Sequence, residues 1–248
     1  MKLKTSFLIY LVFALSSFCV FAQDIPTEYC KELVKMAREG DVEARLRLGD
    51  CYQFGYGIPK NFKEAVRWYR LAAEDEHPQA QVELGYLYSV GRGVPQNYQE
   101  AFKWYDLAAR QGHVFAQYDL GICYLKGHGV TRDPAKGMKW LEEATQFGAG
   151  DPAAMFYCGF LYYDGKYNDI SGIAKDYDKA FYYLSMALDT EDTPYELKGE
   201  IARKLSACYR FGRGVAPDER KADELTREAV KYGTPDAKEL LSFLSLKH

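Results

Sequence analysis

The chain has 248 residues, with 32 lysines and arginines against 35 aspartates and glutamates, a net charge of −3. That mild acidity excludes nucleic acid as the expected partner, because nucleic acid requires a basic patch. It is ordinary for a soluble exported protein.

The first element is an address. Lys2 and Lys4 open it, Phe7 to Phe18 is an apolar run broken only by small serines, and Val20-Phe21-Ala22 offers the residues that a signal peptidase reads. Residues 1–22 are therefore expected to be a secretory signal peptide cut after Ala22, with the chain periplasmic or secreted. An uncleaved anchor is the alternative, but the run is shorter than the roughly 20 residues that a bilayer needs. A lipid on Cys19 is a weaker one, since Phe18 is bulky for the position before it. No later segment is apolar enough to span a membrane. Without residues 1–22 the chain keeps 30 basic and 35 acidic residues, a net of −5.

A signature then returns five times. Leu48-Gly49, Tyr52, Gly55-Tyr56-Gly57-Ile58 and Asn61 reappear as Leu84-Gly85, Tyr88, Gly91-Arg92-Gly93-Val94 and Asn97. They return again as Leu120-Gly121, Tyr124, Gly127-His128-Gly129-Val130 and Asp133. Gly49, Gly85 and Gly121 fall at a constant step of 36 residues. A fixed period of this size marks a solenoid, whose repeats bury their apolar faces only against their neighbours. Each period predicts two helices. The first carries Leu48, Gly49 and Tyr52 at amphipathic spacing. Its glycine, which costs about 1 kcal/mol of helix propensity, lets the two helices approach closely. The second helix is capped by Asn61, Asn97, Asp133, Asp176 or Asp218, whose side chains accept hydrogen bonds from free backbone N–H groups. It carries Ala65, Trp68, Tyr69, Ala72 and Ala73, large rings beside small residues as close packing demands. The Trp68, Trp104 and Trp140 column is core by this spacing and not a ligand cage.

The pattern resembles the Sel-1-like repeat family, relatives of the tetratricopeptide repeats. In the second period the resemblance rests on Ala80, Leu84, Gly85, Tyr88, Gly91, Gly93, Val94, Ala101, Trp104, Tyr105, Ala108, Ala109 and Gly112. It implies an all-α, right-handed α/α superhelix, with five repeats over 44–233 (about 44–79, 80–115, 116–153, 154–200 and 201–236). An N-terminal capping helix lies within 23–43, with Leu33, Ala37 and Gly40, and a C-terminal capping helix within 237–248. The later copies depart from the pattern. The fourth has Cys158 where leucine belongs and five extra residues between Gly165 and Gly172. The fifth has Ser206 for glycine and Leu225-Thr226 where Trp-Tyr would sit. These departures leave the curvature near the insertion at 166–171 open.

The resemblance implies protein–protein scaffolding through a concave surface, in cell-envelope or host-interaction processes. If the first helices line that surface, the positions not used for packing are Tyr86, Phe115, Tyr118, Phe156, Phe160 and Tyr163, with Ser89 and Ile122 beside them. Rigid aromatics are favoured at binding hot spots. Two readings stand open: these residues meet a protein or peptide partner, or some pack against neighbouring helices.

Regulation of a cell-wall enzyme is an alternative outcome of the same binding. Exported relatives linked to β-lactam binding or hydrolysis raise an enzyme reading. The serine-enzyme motif S-x-x-K is absent, as are G-x-S-x-G, H-E-x-x-H and C-x-x-C. No catalytic residue, metal or cofactor is therefore expected. His77 and His113 share a column just beyond the second helix and are expected on surface turns. Of the cysteines after residue 22, Cys51, Cys123 and Cys208 share one column, too far apart to bridge. They are expected to be small buried hydrophobes, together with Cys158. Cys30 with Cys51 is the one candidate disulfide.

Overall fold

A computed structural model describes residues 27–146, 151–167, 170–191 and 193–233. The expected signal peptide and C-terminal capping helix lie outside the described residues. Among the described residues there are eleven helices: α1 (Thr27–Arg38), α2 (Val42–Phe54), α3 (Phe62–Glu74), α4 (Pro78–Val90), α5 (Tyr98–Arg110), α6 (Val114–Lys126), α7 (Pro134–Ala144), α8 (Pro152–Asp164), α9 (Tyr177–Asp189), α10 (Tyr195–Phe211) and α11 (Glu219–Lys231). A two-stranded antiparallel ribbon, β1 (Lys166–Tyr167) and β2 (Ile170–Ser171), interrupts them, with Lys166 opposite Ser171 and Tyr167 opposite Ile170. The fold is all-α, and within each of its two compact units every helix packs mainly on its neighbours in the chain. One unit ends at Asn97 and the other begins at Tyr98.

The recurring residues do the same work in each repeat. Asn61 accepts hydrogen bonds from the Lys63 and Glu64 N–H groups at 3.1 and 3.2 Å, and Asp133, Asp176 and Asp218 each accept one at 3.0–3.1 Å. The backbone N–H of each capping residue donates to the carbonyl of the repeat's tyrosine: Asn61 to Tyr52, Asn97 to Tyr88, Asp133 to Tyr124, Asp176 to Tyr162 and Asp218 to Tyr209. One bond thus ties the start of each second helix to the last turn of the first. Gly55, Gly91, Gly127, Gly165 and Gly212 close the first helices in the left-handed conformation. That conformation costs glycine little and other residues much.

The second glycine of each turn has a further role. A Cβ on Gly93 would lie 2.3 Å from the Phe62 carbonyl oxygen, one on Gly129 2.1 Å from that of Tyr98, and one on Gly214 2.0 Å from that of Tyr177. In each case the turn rests on the residue that opens the preceding repeat's second helix. The residue between the glycines stacks on the same place: Arg92 over Phe62 at 5.5 Å, His128 on Tyr98 at 4.3 Å and Arg213 over Tyr177 at 5.3 Å.

The insertion is a staple. Ile170 is fully buried in a cluster with Leu125, Met138, Leu141, Cys158 and Leu161. Arg132 donates from Nε to the Leu125 carbonyl at 2.9 Å and from its Nη2 to the Ser171 carbonyl. The linker before the fifth repeat is absorbed by a longer α10, where Tyr195 donates to the Lys231 carbonyl at 2.9 Å and meets Tyr232 edge-on.

Candidate partner-binding surface

The first helices of the repeats are buried on most sides, so any surface they offer is a narrow row. In the unit ending at Asn97, α2 presents Glu43, Arg47, Asp50 and Phe54 at four-, three- and four-residue steps, and α4 presents Gln79, Glu83, Tyr86 and Val90 in the same columns. Side-chain bonds join the two rows. His77 lies 3.3 Å from Glu43 and Gln53 donates to Glu83 at 3.1 Å, while within α4 Gln79 donates to the same carboxylate at 2.9 Å. Arg47 pairs with Glu43 at 2.8 Å and approaches Asp50 at 3.9 Å. Phe54 is 48% exposed and Val90 is exposed beside it in column, while Tyr86 is 38% exposed.

Asp50 is the electrostatically unusual member. It accepts a hydrogen bond from the Tyr69 hydroxyl at 2.8 Å. Burial pushes its carboxyl up to about 6, with Glu83 and Glu43 adding to the rise and Tyr69 and Arg47 opposing it. Burial likewise drives the Tyr69 hydroxyl far above its ordinary value, so it remains a donor.

In the unit beginning at Tyr98, Phe115 is 57% exposed, its ring 5.9 Å from that of His113. Tyr118 is half-buried and meets Tyr157 edge-on at 5.7 Å with a hydrogen bond between them. Phe156, Phe160 and Tyr163 do not face solvent: they are 2%, 2% and 5% exposed. The Phe156 and Phe160 rings meet at a tilt, 4.4 Å apart, in a cluster with Met155, Leu184 and Leu205. Lys204, paired with Asp164, covers Phe160 at 5.2 Å and Tyr163 at 4.4 Å, and Arg213 donates to the Tyr163 hydroxyl. The correction has a plain cause. α8 is apolar around most of its circumference, and α7, α9 and α10 pack against it or its side chains. Of the aromatic set, Tyr86 and Phe115 are open, Tyr118 is partly so, and three members belong to the core.

Spacing alone marked the row that sequence reasoning missed. Val90 stands in the Tyr86 row one turn further on, Phe54 holds the Val90 column on α2, and Asp50 stands in the Tyr86 column. The aliphatic Val90 and the polar Asp50 were hidden from a search for aromatics, and Phe54 lies in the first repeat, from which no candidate was drawn.

Other polar groupings are structural. Tyr162 donates to Glu142 at 2.6 Å, and Lys179 reaches the same carboxylate at 2.8 Å, joining α7, α8 and α9. Burial pushes the Tyr162 hydroxyl up to about 12, so at neutral pH it is a donor and not a nucleophile. Cys123, Cys158 and Cys208 are buried free thiols, and burial pushes Cys123 up to about 12 and Cys208 to about 11. Cys51 is buried, but the Cys30 side chain lies outside the described residues, so that pairing is not placed. His77 caps α4, its Nδ1 accepting from Ala80 N–H at 3.4 Å. Trp68 packs with Leu33, Ala37, Ala44, Leu48 and Cys51, as a core residue should. Among the described residues, no cluster of three or more His, Cys, Asp or Glu side chains is arranged to hold a metal ion, and no helix is long and apolar enough to cross a membrane.

The Sel1 repeat family model matches residues 42–77, 78–113, 114–146, 152–189 and 202–231. Two solved structures are similar. A protective antigen of uropathogenic Escherichia coli with an SLR fold is 28% identical, with a TM-score of 0.78 over 88% of this chain and 44% of that one. A Sel1 repeat protein from Oxalobacter formigenes is 30% identical, with a TM-score of 0.71 over 87% of this chain and 59% of that one. The chain thus spans about half the length of these two proteins. No curated protein matches it in sequence.

Proposed function

Because the chain belongs to the Sel1 repeat family, a family of helical-repeat scaffolds, we propose that it binds another protein or peptide through the solvent-facing rows of its first helices. One observation carries this reading. Helices otherwise buried on most sides leave Phe54, Tyr86, Val90 and Phe115 in water. Exposed apolar side chains within a polar frame, as at Phe54, Tyr86 and Val90 in one unit and at Phe115 in the other, are typical of interaction sites. The α2 row is packed between α1 and α3, and a row held in place loses little freedom on binding.

We also propose that the partner is met outside the cytoplasm, after cleavage behind Ala22. Lys2, Lys4 and the apolar run from Phe7 to Phe18 support this. N-terminal sequencing of the mature chain should begin at Gln23, and an intact Met1 would remove the proposal.

A photo-activatable amino acid at position 86 or 115 should cross-link one major partner in cells, while the same probe at buried position 156 should not. Replacing Tyr86 and Phe115 together with alanine should weaken capture by about tenfold or more, the effect of losing two contact aromatics. Equal capture by the variant would remove the reading.

A further inference from the structure

The tryptophan column contains a vacancy. Trp68, Trp104 and Trp140 occupy it in the first three repeats and Tyr183 in the fourth, but the fifth has Leu225. In the first repeat the indole fills the space between the preceding helix, through Leu33 and Ala37, and its own partner helix, through Leu48 and Cys51. The corresponding space in the fifth repeat lies between α9, α10 and α11. It is an open cleft of about 680 Å³, floored by Leu188, Leu205, Tyr209 and Leu225. Lys221 lies over the Tyr209 ring at 5.2 Å, and Asp189, Glu224, Arg227, Glu228 and Lys231 also line the cleft, so its apolar floor sits among charges of both signs.

We infer that this cleft binds a tryptophan side chain presented by a protein partner. The repeat itself supplies the template, since an indole is the group that the equivalent space encloses in the first repeat, where Trp68 is 5% exposed. The cleft lies within the usual size range of small-ligand sites, about 300–1,000 Å³. Its rim also offers what the internal column lacks. The indole nitrogens of Trp68 and Trp104 are buried without an acceptor. A visiting indole meets carboxylates at Asp189 and Glu224, and a buried Trp N–H normally finds such a partner. The occupant comes from a different protein, because this chain's three tryptophans are all committed to their own repeats. The inference rests on the scaffold reading above and names a partner feature for it.

The test is a titration of the full chain, labelled at leucine methyl groups, with the peptide acetyl-GGWGG-amide and with its alanine counterpart. The tryptophan peptide should shift the methyl signals of Leu188, Leu205 and Leu225 saturably, with a Kd of about 1 mM or tighter, and the alanine peptide should not. Leu225→Trp, which fills the cleft from within, should weaken the tryptophan peptide at least about tenfold. Absence of saturable shifts in the unaltered chain overturns the inference, and so do equal shifts with the two peptides. Equal binding by a folded Leu225→Trp chain does the same. Wild-type titration decides the matter even where the variant does not fold. Partner capture through Tyr86 and Phe115 is read separately, so either result can fail alone.

Discussion

A glycine in the middle of a helix usually weakens it, yet Gly49 exists for the ring opposite. A Cβ there would lie 2.4 Å from Tyr69. Gly49→Ala should therefore cost about 1–3 kcal/mol, the range for overpacking a filled core, as read by chemical denaturation. The fifth repeat solves the same contact differently. Ser206 stands for the glycine and Thr226 for the ring; one hydroxyl donates to the other at 2.7 Å, and the acceptor donates on to the Ala222 carbonyl, which lies 2.8 Å from both oxygens. Read along the chain, these are two departures; in space they are one exchange. Asp50 carries a different signature. Its folded-state carboxyl is raised from 3.8 to about 6, so the folded chain holds this proton longer than the unfolded one. The contribution of Asp50 is therefore most favourable below pH 4, declines as pH rises from about 4 to 6, and is level above that. Glu43, Glu83, Arg47 and Tyr69 all face this group. Asp50→Asn should raise stability at pH 7.5 by about 2 kcal/mol and change it little at pH 4, a difference that thermal unfolding at the two values would read.

Helices and their limits were legible because each boundary has its own chemistry: a carboxylate or amide cap at one end, a left-handed glycine at the other. The helix pairs, the core position of Trp68 and the buried thiols follow from that periodicity. The solvent side of α8 did not. Met155, Phe156, Tyr157, Phe160 and Tyr163 ring a helix that has no polar stripe, and periodicity cannot orient a cylinder that is apolar all round. Phe160→Ala is accordingly a cavity mutation and should cost about 3–5 kcal/mol in unfolding measurements. The ribbon at 166–171 was equally hidden, since a short inserted stretch carries no period. Its Ile170 is buried within the third and fourth repeats' shared core, so Ile170→Ala should cost about 2–5 kcal/mol, far more than an exposed-loop residue.

At the scale of the whole molecule, two functions are divided between two kinds of position. Columns facing neighbours hold the repeats together, and the thin remaining rows are the ones proposed to meet a partner. Phe54, Tyr86, Val90 and Phe115 belong to those rows, so their replacement should leave the melting temperature nearly unchanged while capture falls. The opposite pattern, lost stability with capture intact, would return them to the core. The joints at Gly93, Gly129 and Gly214 add a consequence of their own. Each sets a bare glycine against a main-chain carbonyl, a contact made of atoms that every residue possesses. Such a hinge-pin is blind to the side chains around it. The outward rows can drift through mutation toward a new quarry, or a whole module can be duplicated by recombination, without the coupling having to be reinvented.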